Sequence, residues 1–315
     1  MATATLLLPA RRRLSGQPLP ADVGKALGRA DGTTAASGER EQLRRHFRLV
    51  PDHWPVAALT RQMDARDADG ATWLRADPAR ISPDINGARM LAHGEALGLD
   101  EEDVRQLLPA LKPLFGDAGM LLDAPHPSRW YLQLPKESRL PEFAPIDDVL
   151  GDDLFAHLPD GDEGRRWRAL LTEAQITLHN HPWNAQRIRD GKAPVNSLWF
   201  WGAGTLPGSV SSPYKQIKGQ DTLLRSLALA SGISAEGDAG QSVDALIDLR
   251  HLRQLDLLAR EALQPLLAAL ARGELQRLNL DFADGALFAL ERGQRWRFWR
   301  RRLERLESDA SGLPA

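Results

Sequence analysis

The chain has 315 residues, 43% of them hydrophobic, enough to bury a substantial core in two domains or one large one. Its 40 basic and 42 acidic side chains leave a formal charge of -2, which excludes a molecule-wide field steering it to nucleic acid or an anionic membrane. There is no cysteine, so disulfides, a thiol nucleophile and thiolate metal sites are excluded.

The chain opens on Thr5-Leu6-Leu7-Leu8-Pro9, with Arg11, Arg12 and Arg13 after the apolar run. A signal peptide carries its positive charge before that run, so residues 5–10 read as a buried first strand. No stretch approaches the ~18 apolar residues of a membrane span, and the expectation is a soluble cytoplasmic protein. Residues 14–40, with Gly24, Gly28, Gly32 and Gly38, read as loop with one short helix and a mobile stretch from 32 to 38. A short amphipathic helix follows over 39–49, and Pro55 opens a helix over 56–66. Residues 73–78 read as a strand that stops at Pro78. Asp100 is placed as the N-cap of a helix whose first turn is Glu101, Glu102 and Asp103; Val104, Leu107, Leu108, Leu111 and Phe115 form its apolar face. Residues 129–135 alternate as a strand, and 135–164 form a long connection. A helix over 165–178, an apolar strand over 195–201, a helix over 222–230 and a strand over 243–249 come next. The longest apolar helix spans 255–271. Two strands, 275–282 and 286–290, are joined by the turn pair Asp284-Gly285. Strands alternate with helices, which predicts an α/β or mixed α+β fold.

The densest set of unusual polar residues lies between His179 and Gly204. It reads His181-Pro182-Trp183-Asn184, then Arg187, Gly191, Pro194, Asn196, Trp199, Trp201, Gly202 and Gly204. His181, Asn184, Arg187 and Asn196 are candidate ligand-binding residues, because they supply donors to a phosphate or carboxylate, Arg187 bidentately. The competing reading makes them caps and ties between loops. His179 and His181 alone give two metal ligands where a closed site needs about four.

This run resembles the segment H-P-x-N-x-x-R-x-x-x-G-x-x-P-A-N-x-x-W-x-W-G-x-G of the archaeal-type, cofactor-independent phosphoglycerate mutases. Residues 75–77, 100–115, 129–132, 147–151 and 158–159 keep step with the same family, so the resemblance covers 73–204 in order. A closer resemblance, over the whole course of the chain, is to proteobacterial proteins described as phosphoglycerate mutase or as regulatory proteins of the pathogenicity-factor "E" type. The resemblance implies a shortened alkaline-phosphatase-like core, residues 1–72 and 205–315, with an inserted α+β domain, residues 73–204.

That family's chemistry uses two metal ions about 3.5–4 Å apart and a hydroxyl nucleophile. Where the family has an Asp after the first strand, this chain has Pro9-Ala10-Arg11, and no Asp-His dipeptide occurs anywhere. Asp248, His251, Asp256 and Asp281 stand as remnants of metal ligands, and Ser15 and Ser82 are nucleophile candidates by default. The expectation is a catalytically degenerate relative with no cofactor, binding a small acidic or phosphorylated ligand or a protein partner in regulation. Manganese or zinc would enter only if the chain were an active metal-dependent mutase or phosphatase. The tail from Arg295 to Arg302 interleaves Trp296, Phe298 and Trp299 with arginines. It reads as a strand with aromatics packed inward and arginines facing solvent, so nucleic acid is not the expected partner; the alternative is a tail that binds nucleic acid by stacking and phosphate contact. Asp84-Ile85-Asn86-Gly87 reads as a turn and not a calcium loop.

Overall fold

A computed structural model of the chain describes residues 2–84, 87–233 and 244–306. The protein forms two compact units, one from Met1–Asp52 with Ser209–Ala315 and one from His53–Gly208. The architecture is mixed α/β. Among the described residues no helix is long and apolar enough to cross a membrane.

The first unit is built on a six-stranded sheet. Its order is Gln216–Lys218, Ala245–Asp248, Ala2–Leu8, Leu275–Phe282, Ala286–Glu291 and Asp31–Thr34. The first four strands are parallel and the last two antiparallel. Ala2–Leu8 lies centrally, and Leu6, Leu7 and Leu8 are fully buried. A central parallel strand is covered on both faces, which is why its sequence is a continuous apolar run. Helices Ala21–Arg29 and Gln264–Arg272 contribute Val23, Leu27 and Leu270 to the core of this sheet.

The second unit is an antiparallel sheet around the 13-residue strand Thr72–Asp84. That strand pairs with Arg129–Leu134, Gly87–His93 and Ser197–Gly204, and Leu121–His126 adds the far edge. Side chains alternate across it. Leu74 and Ala76 join a core made with helices Glu101–Asp117 and Gly161–His179. Trp73 and Tyr131 face the other way and pack with Ala57 and Ala58 of helix Val56–Ala65. The sequence reading put that helix with the flanking segments. Its buried alanines and the Arg75-to-Thr60 hydrogen bond of 3.2 Å place it in the second unit.

Four other expectations are corrected. Strand 73–78 does not stop at Pro78. One edge of the long strand is paired by Arg129–Leu134 over 72–75 and by Gly87–His93 over 79–84. Pro78 falls between these ladders, where a missing N–H breaks no bond. Residues 32–34, the start of the stretch expected to be mobile, belong to the edge strand Asp31–Thr34 against Ala286–Ala289. The helix over 255–271 is interrupted by a π turn, Ala259–Leu263, which widens the coil just ahead of Pro265. The strand expected over 243–249 is Ala245–Asp248, Val243 lying outside the described residues. In the turn read over 84–87, Asp84 and Gly87 pair across antiparallel strands, while Ile85 and Asn86 lie outside the described residues.

The tail is also not a strand. Arg292–Trp296 is a 3-10 turn, and residues 297–306 are irregular. Its course is set by helix Ala21–Arg29, whose Gly24 and Gly28 share one face. A Cβ on Gly24 would stand 2.2 Å from the Leu303 carbonyl oxygen, and one on Gly28 would stand 2.1 Å from that of Arg301. The two glycines thus form a groove in which residues 301–303 lie, fastened by the Leu303 N–H donating to the Gly24 carbonyl at 2.9 Å.

Gly28→Ala tests this packing. Alanine gains about 1 kcal/mol of helix propensity. The clash is with backbone, which cannot swing aside, and overpacking of this kind costs about 1–3 kcal/mol. The expected outcome is a lower urea midpoint; an unchanged or higher one would show that the tail is not seated there.

Candidate functional site

Two groups of residues drew functional expectations, one in each unit. In the second unit, His181 is the N-cap of helix Pro182–Arg189, its Nδ1 accepting the Trp183 N–H at 3.2 Å. Burial lowers its pKa. Asn184 donates to the carbonyls of Leu178 and Val195 at 2.7 and 2.8 Å and accepts the Val195 N–H at 2.9 Å. It therefore makes the bonds a neighbouring strand would otherwise make. Asn196 does the same to Ile81, accepting from its N–H and donating to its carbonyl, both at 2.8 Å. Arg187 is 1% exposed. It donates to the carbonyls of Leu97 and Ala193 at 2.7 and 2.9 Å and forms an ion pair with Asp103. Asp103 is fully buried and also accepts from the Trp183 indole at 2.7 Å and from the Asp100 N–H at 3.0 Å. The last contact is half of a capping box at the start of helix Glu101–Asp117.

These four residues do not converge on one another. Each ties a different backbone segment, and all three nitrogens of Arg187 have partners inside the unit. Gly202 and Gly204 follow the same pattern. Their φ angles are +68° and +149°, and a Cβ on either would stand 3.0 Å from Val56 Cβ or 2.7 Å from Pro55 Cβ.

In the first unit, Asp248 and Asp281 both pair in register with Leu7, on opposite sides of the central strand. Their Cα atoms are thus about 10 Å apart, two strand spacings. They lie at the carboxyl edge of the parallel strands, where sheets of this kind place ligands. Arg45 grips Asp281 with two nitrogens at 2.6 and 2.9 Å, and His46 Nε2 lies 2.8 Å from the same carboxylate. Burial pushes the Asp281 carboxyl up, but the hydrogen bonds from Arg45 and His46 outweigh it and hold its pKa below the usual range. The Tyr214 hydroxyl contacts His46 Nδ1 at 2.9 Å and Thr5 Oγ1 at 3.1 Å. Asp248 is gripped by Arg250, whose Nε and Nη2 both lie at 2.8 Å and whose N–H donates at 3.0 Å. Arg250 also reaches Asp221 at 3.2 Å. Burial works against the Arg250 cation, and these carboxylates more than offset it.

The crevice at this edge is taken by the chain itself. Just outside it, helix Glu39–Arg44 sends the buried Gln42 amide to the carbonyls of Leu8 and Asp281, at 3.1 and 2.5 Å. The Gly38 N–H donates to the Ala283 carbonyl at 2.7 Å. His251 is exposed, and Asp256 pairs with Arg260 on an exposed helix face at 2.6 Å. The Ser15 hydroxyl donates to the Arg12 carbonyl and that of Ser82 to Pro83. Among the described residues no group of three or more His, Asp or Glu side chains is arranged to hold a metal ion. The donor set at Asp248 and Asp281 does not fit a two-metal centre, since guanidinium groups occupy the oxygens that metals would need. Sequence reasoning missed Arg45, His46, Gln42 and Arg250: the first three reach this edge from a segment distant in sequence, whereas Arg250 lies two residues from Asp248 and was within local reach.

The protein is thus of mixed α/β class, with a carboxylate–arginine edge in one unit and a buried clasp in the other. Partial sequence similarity links it to cofactor-independent phosphoglycerate mutases. It is 39% identical over 67 residues to a probable 2,3-bisphosphoglycerate-independent phosphoglycerate mutase of Geobacter sulfurreducens, covering 21% of this chain and 17% of that protein. It is 41% identical over 66 residues to the corresponding mutase of Methanosarcina barkeri, covering 21% of this chain and 17% of that one. The matched stretch therefore spans about a sixth of these relatives' length. Among solved structures, a cofactor-independent phosphoglycerate mutase from Thermoplasma acidophilum superposes with a TM-score of 0.41 at 15% identity, over 93% of this chain and 90% of that one. The PH0037 protein from Pyrococcus horikoshii gives 0.45 at 13%, over 92% and 87%. No family model matches the chain.

Two outcomes test the site's electrostatics. Arg187→Met leaves Asp103 buried and without its cation, so the second unit should lose about 3–5 kcal/mol in chemical denaturation. A variant as stable as the wild type would remove Arg187 from the clasp. For Asp281 the folded pKa lies below the unfolded value of about 3.9. Its contribution is therefore fully present above that pH and is lost as pH falls through the folded value. Between about pH 5 and pH 2 the wild type should lose more melting temperature than Asp281→Asn, which lacks this term. Parallel curves would show that Asp281 is not held as described.

Proposed function

We propose that the protein is a phosphoglycerate-mutase-like chain, related to the pathogenicity-factor type E regulatory proteins, whose metal-dependent chemistry has lapsed. On this reading the first unit is a shortened alkaline-phosphatase-like core and the second corresponds to the family's inserted domain. Its role is regulatory, through a small acidic or phosphorylated ligand or a protein partner. The observation that supports this most is the pairing of Asp248 with Arg250 and of Asp281 with Arg45 and His46. An arginine committed to a carboxylate neutralises it but offers no open coordination position and generates no metal-bound hydroxide. The capping and bridging bonds of His181, Asn184, Arg187 and Asn196 support a structural role for the motif that carries the resemblance.

The test is interconversion of 2- and 3-phosphoglycerate by the purified full chain with manganese or zinc, beside calorimetric titration of either metal alone. The expected result is no turnover above the protein-free control and no stoichiometric heat. Metal-stimulated turnover that disappears in Asp248→Asn or Asp281→Asn would overturn the reading and restore an active metal-dependent enzyme.

A further inference from the structure

The tail reverses the arrangement its sequence suggests. Trp296, Phe298 and Trp299 are 66%, 79% and 69% exposed. The arginines that alternate with them turn inward. Arg297 pairs with Asp31 and donates to the Arg29 carbonyl at 3.1 Å, and Arg300 donates to the Ala30 carbonyl at 2.8 Å. These carbonyls close helix Ala21–Arg29, where cations are favoured. The Gln294 amide donates to Asp31 and to the Ala289 carbonyl, and Leu306 is buried. With residues 301–303 seated over Gly24 and Gly28, the segment is a strap fastened at both ends.

Single exposed apolar side chains are ordinary; three large aromatics within four residues on a fastened segment are not. Their surroundings are cationic. From Arg292 to Arg305 there are seven arginines, one acid (Glu304) and no lysine. Arg292, Arg295, Arg301, Arg302 and Arg305 are exposed, and the Arg295 guanidinium lies 5.0 Å over the Trp296 ring. At physiological ionic strength charges beyond about 8 Å are screened, so this local excess governs binding more than the chain's near-neutral total.

We propose that this strap binds single-stranded nucleic acid. Bases would stack on Trp296, Phe298 and Trp299, and the exposed arginines would meet phosphates. Two features favour this ligand over an anionic lipid surface. The phosphate-facing cations are all arginine, the residue that binds phosphate bidentately and stacks on flat rings, whereas a membrane surface draws lysine and arginine alike. The aromatics sit on an irregular backbone, Phe298 and Trp299 packed edge to face with centroids 5.5 Å apart and largely exposed for bases to stack on, and they do not line the apolar face of a helix that would lie in a bilayer.

The experiment is fluorescence anisotropy of labelled oligo(dT) and oligo(U), each about 20 nucleotides, with the full chain. A duplex of the same length and anionic phospholipid vesicles serve as competitors. The expected result is salt-dependent binding, tighter to single strands than to duplex, with the better of the two probes naming the sugar. Trp296→Ala/Phe298→Ala/Trp299→Ala should weaken it at least tenfold while melting like the wild type, because these rings support no core. Arg295→Gln/Arg301→Gln/Arg302→Gln should flatten the salt slope by about 2, at roughly 0.7 per phosphate contact. No binding at low salt, equal affinity for duplex, binding untouched by the aromatic variant, or competition by vesicles alone would each overturn the proposal.

Discussion

The carboxylates of Asp77, Asp103, Asp248 and Asp281 are all buried, at 1%, 0%, 8% and 2% exposure. An uncompensated carboxylate cannot remain ionised there, since removing it from water costs several kcal/mol. The chain answers each time with arginine: Arg75 on Asp77, Arg187 on Asp103, Arg250 on Asp248 and Arg45 on Asp281. The pairs are not isolated. Arg75 also lies against the rings of Tyr131 and Trp201, and Trp201 donates to Asp77 at 2.8 Å. Arg187 with Asp103 and Arg45 with Asp281 join segments distant in the chain, while Arg75 with Asp77 and Arg250 with Asp248 are two residues apart and reach other elements through Thr60, Trp201 and Asp221. At the carboxyl edge of the parallel sheet the consequence is chemical as well as structural. A cation carried on the chain holds the same carboxylates that an exchangeable ion would need.

Much of the fold could be read from local pattern. The capping residues around Asp100, the hairpin at Asp284-Gly285 and the helix Thr222–Ala230 are local features, and local rules placed them. What escaped depends on partners distant in sequence. Asp-Gly-Thr-Thr at 31–34 has no strand signature; it is a strand because Ala286–Ala289 offers it a ladder. Pro78 reads as a stop until two separate neighbours leave it a gap. The pairing at Asp281 joins residues 236 apart and that at Asp103 residues 84 apart, so neither could be seen as a pair. His181, Asn184, Arg187 and Asn196 were singled out because such side chains suit ligands. The same donors suit backbone carbonyls equally, and the sequence contains nothing that separates the two uses.

That ambiguity explains how a motif can be specific without being catalytic. A side chain that substitutes for a missing strand must place a donor and an acceptor together. The amides of Asn and Gln do this with separate donor and acceptor atoms, as the peptide group does, and Asn184 and Asn196 each satisfy one residue's N–H and a backbone carbonyl. A glycine whose Cβ would enter Val56 or Pro55 is equally restricted. Spacing of this kind identifies a packing solution.

The strap obeys the same accounting of polar groups with the opposite outcome for its aromatics. Helix Ala21–Arg29 carries glycine at 24 and 28 although each weakens a helix by about 1 kcal/mol relative to alanine. The groove they make admits the backbone of residues 301–303 and the hydrogen bond at Gly24. Once that backbone is seated, Arg297 and Arg300 fall beside the carbonyls at the helix end and satisfy them. The intervening side chains must then point away from the helix, and in this sequence they are Phe298 and Trp299. Folding alone would be served by any polar residue there, because neither ring supports the core. Large aromatics held in water by a fastened backbone add nothing to stability, so the explanation for them lies in what they meet outside the chain.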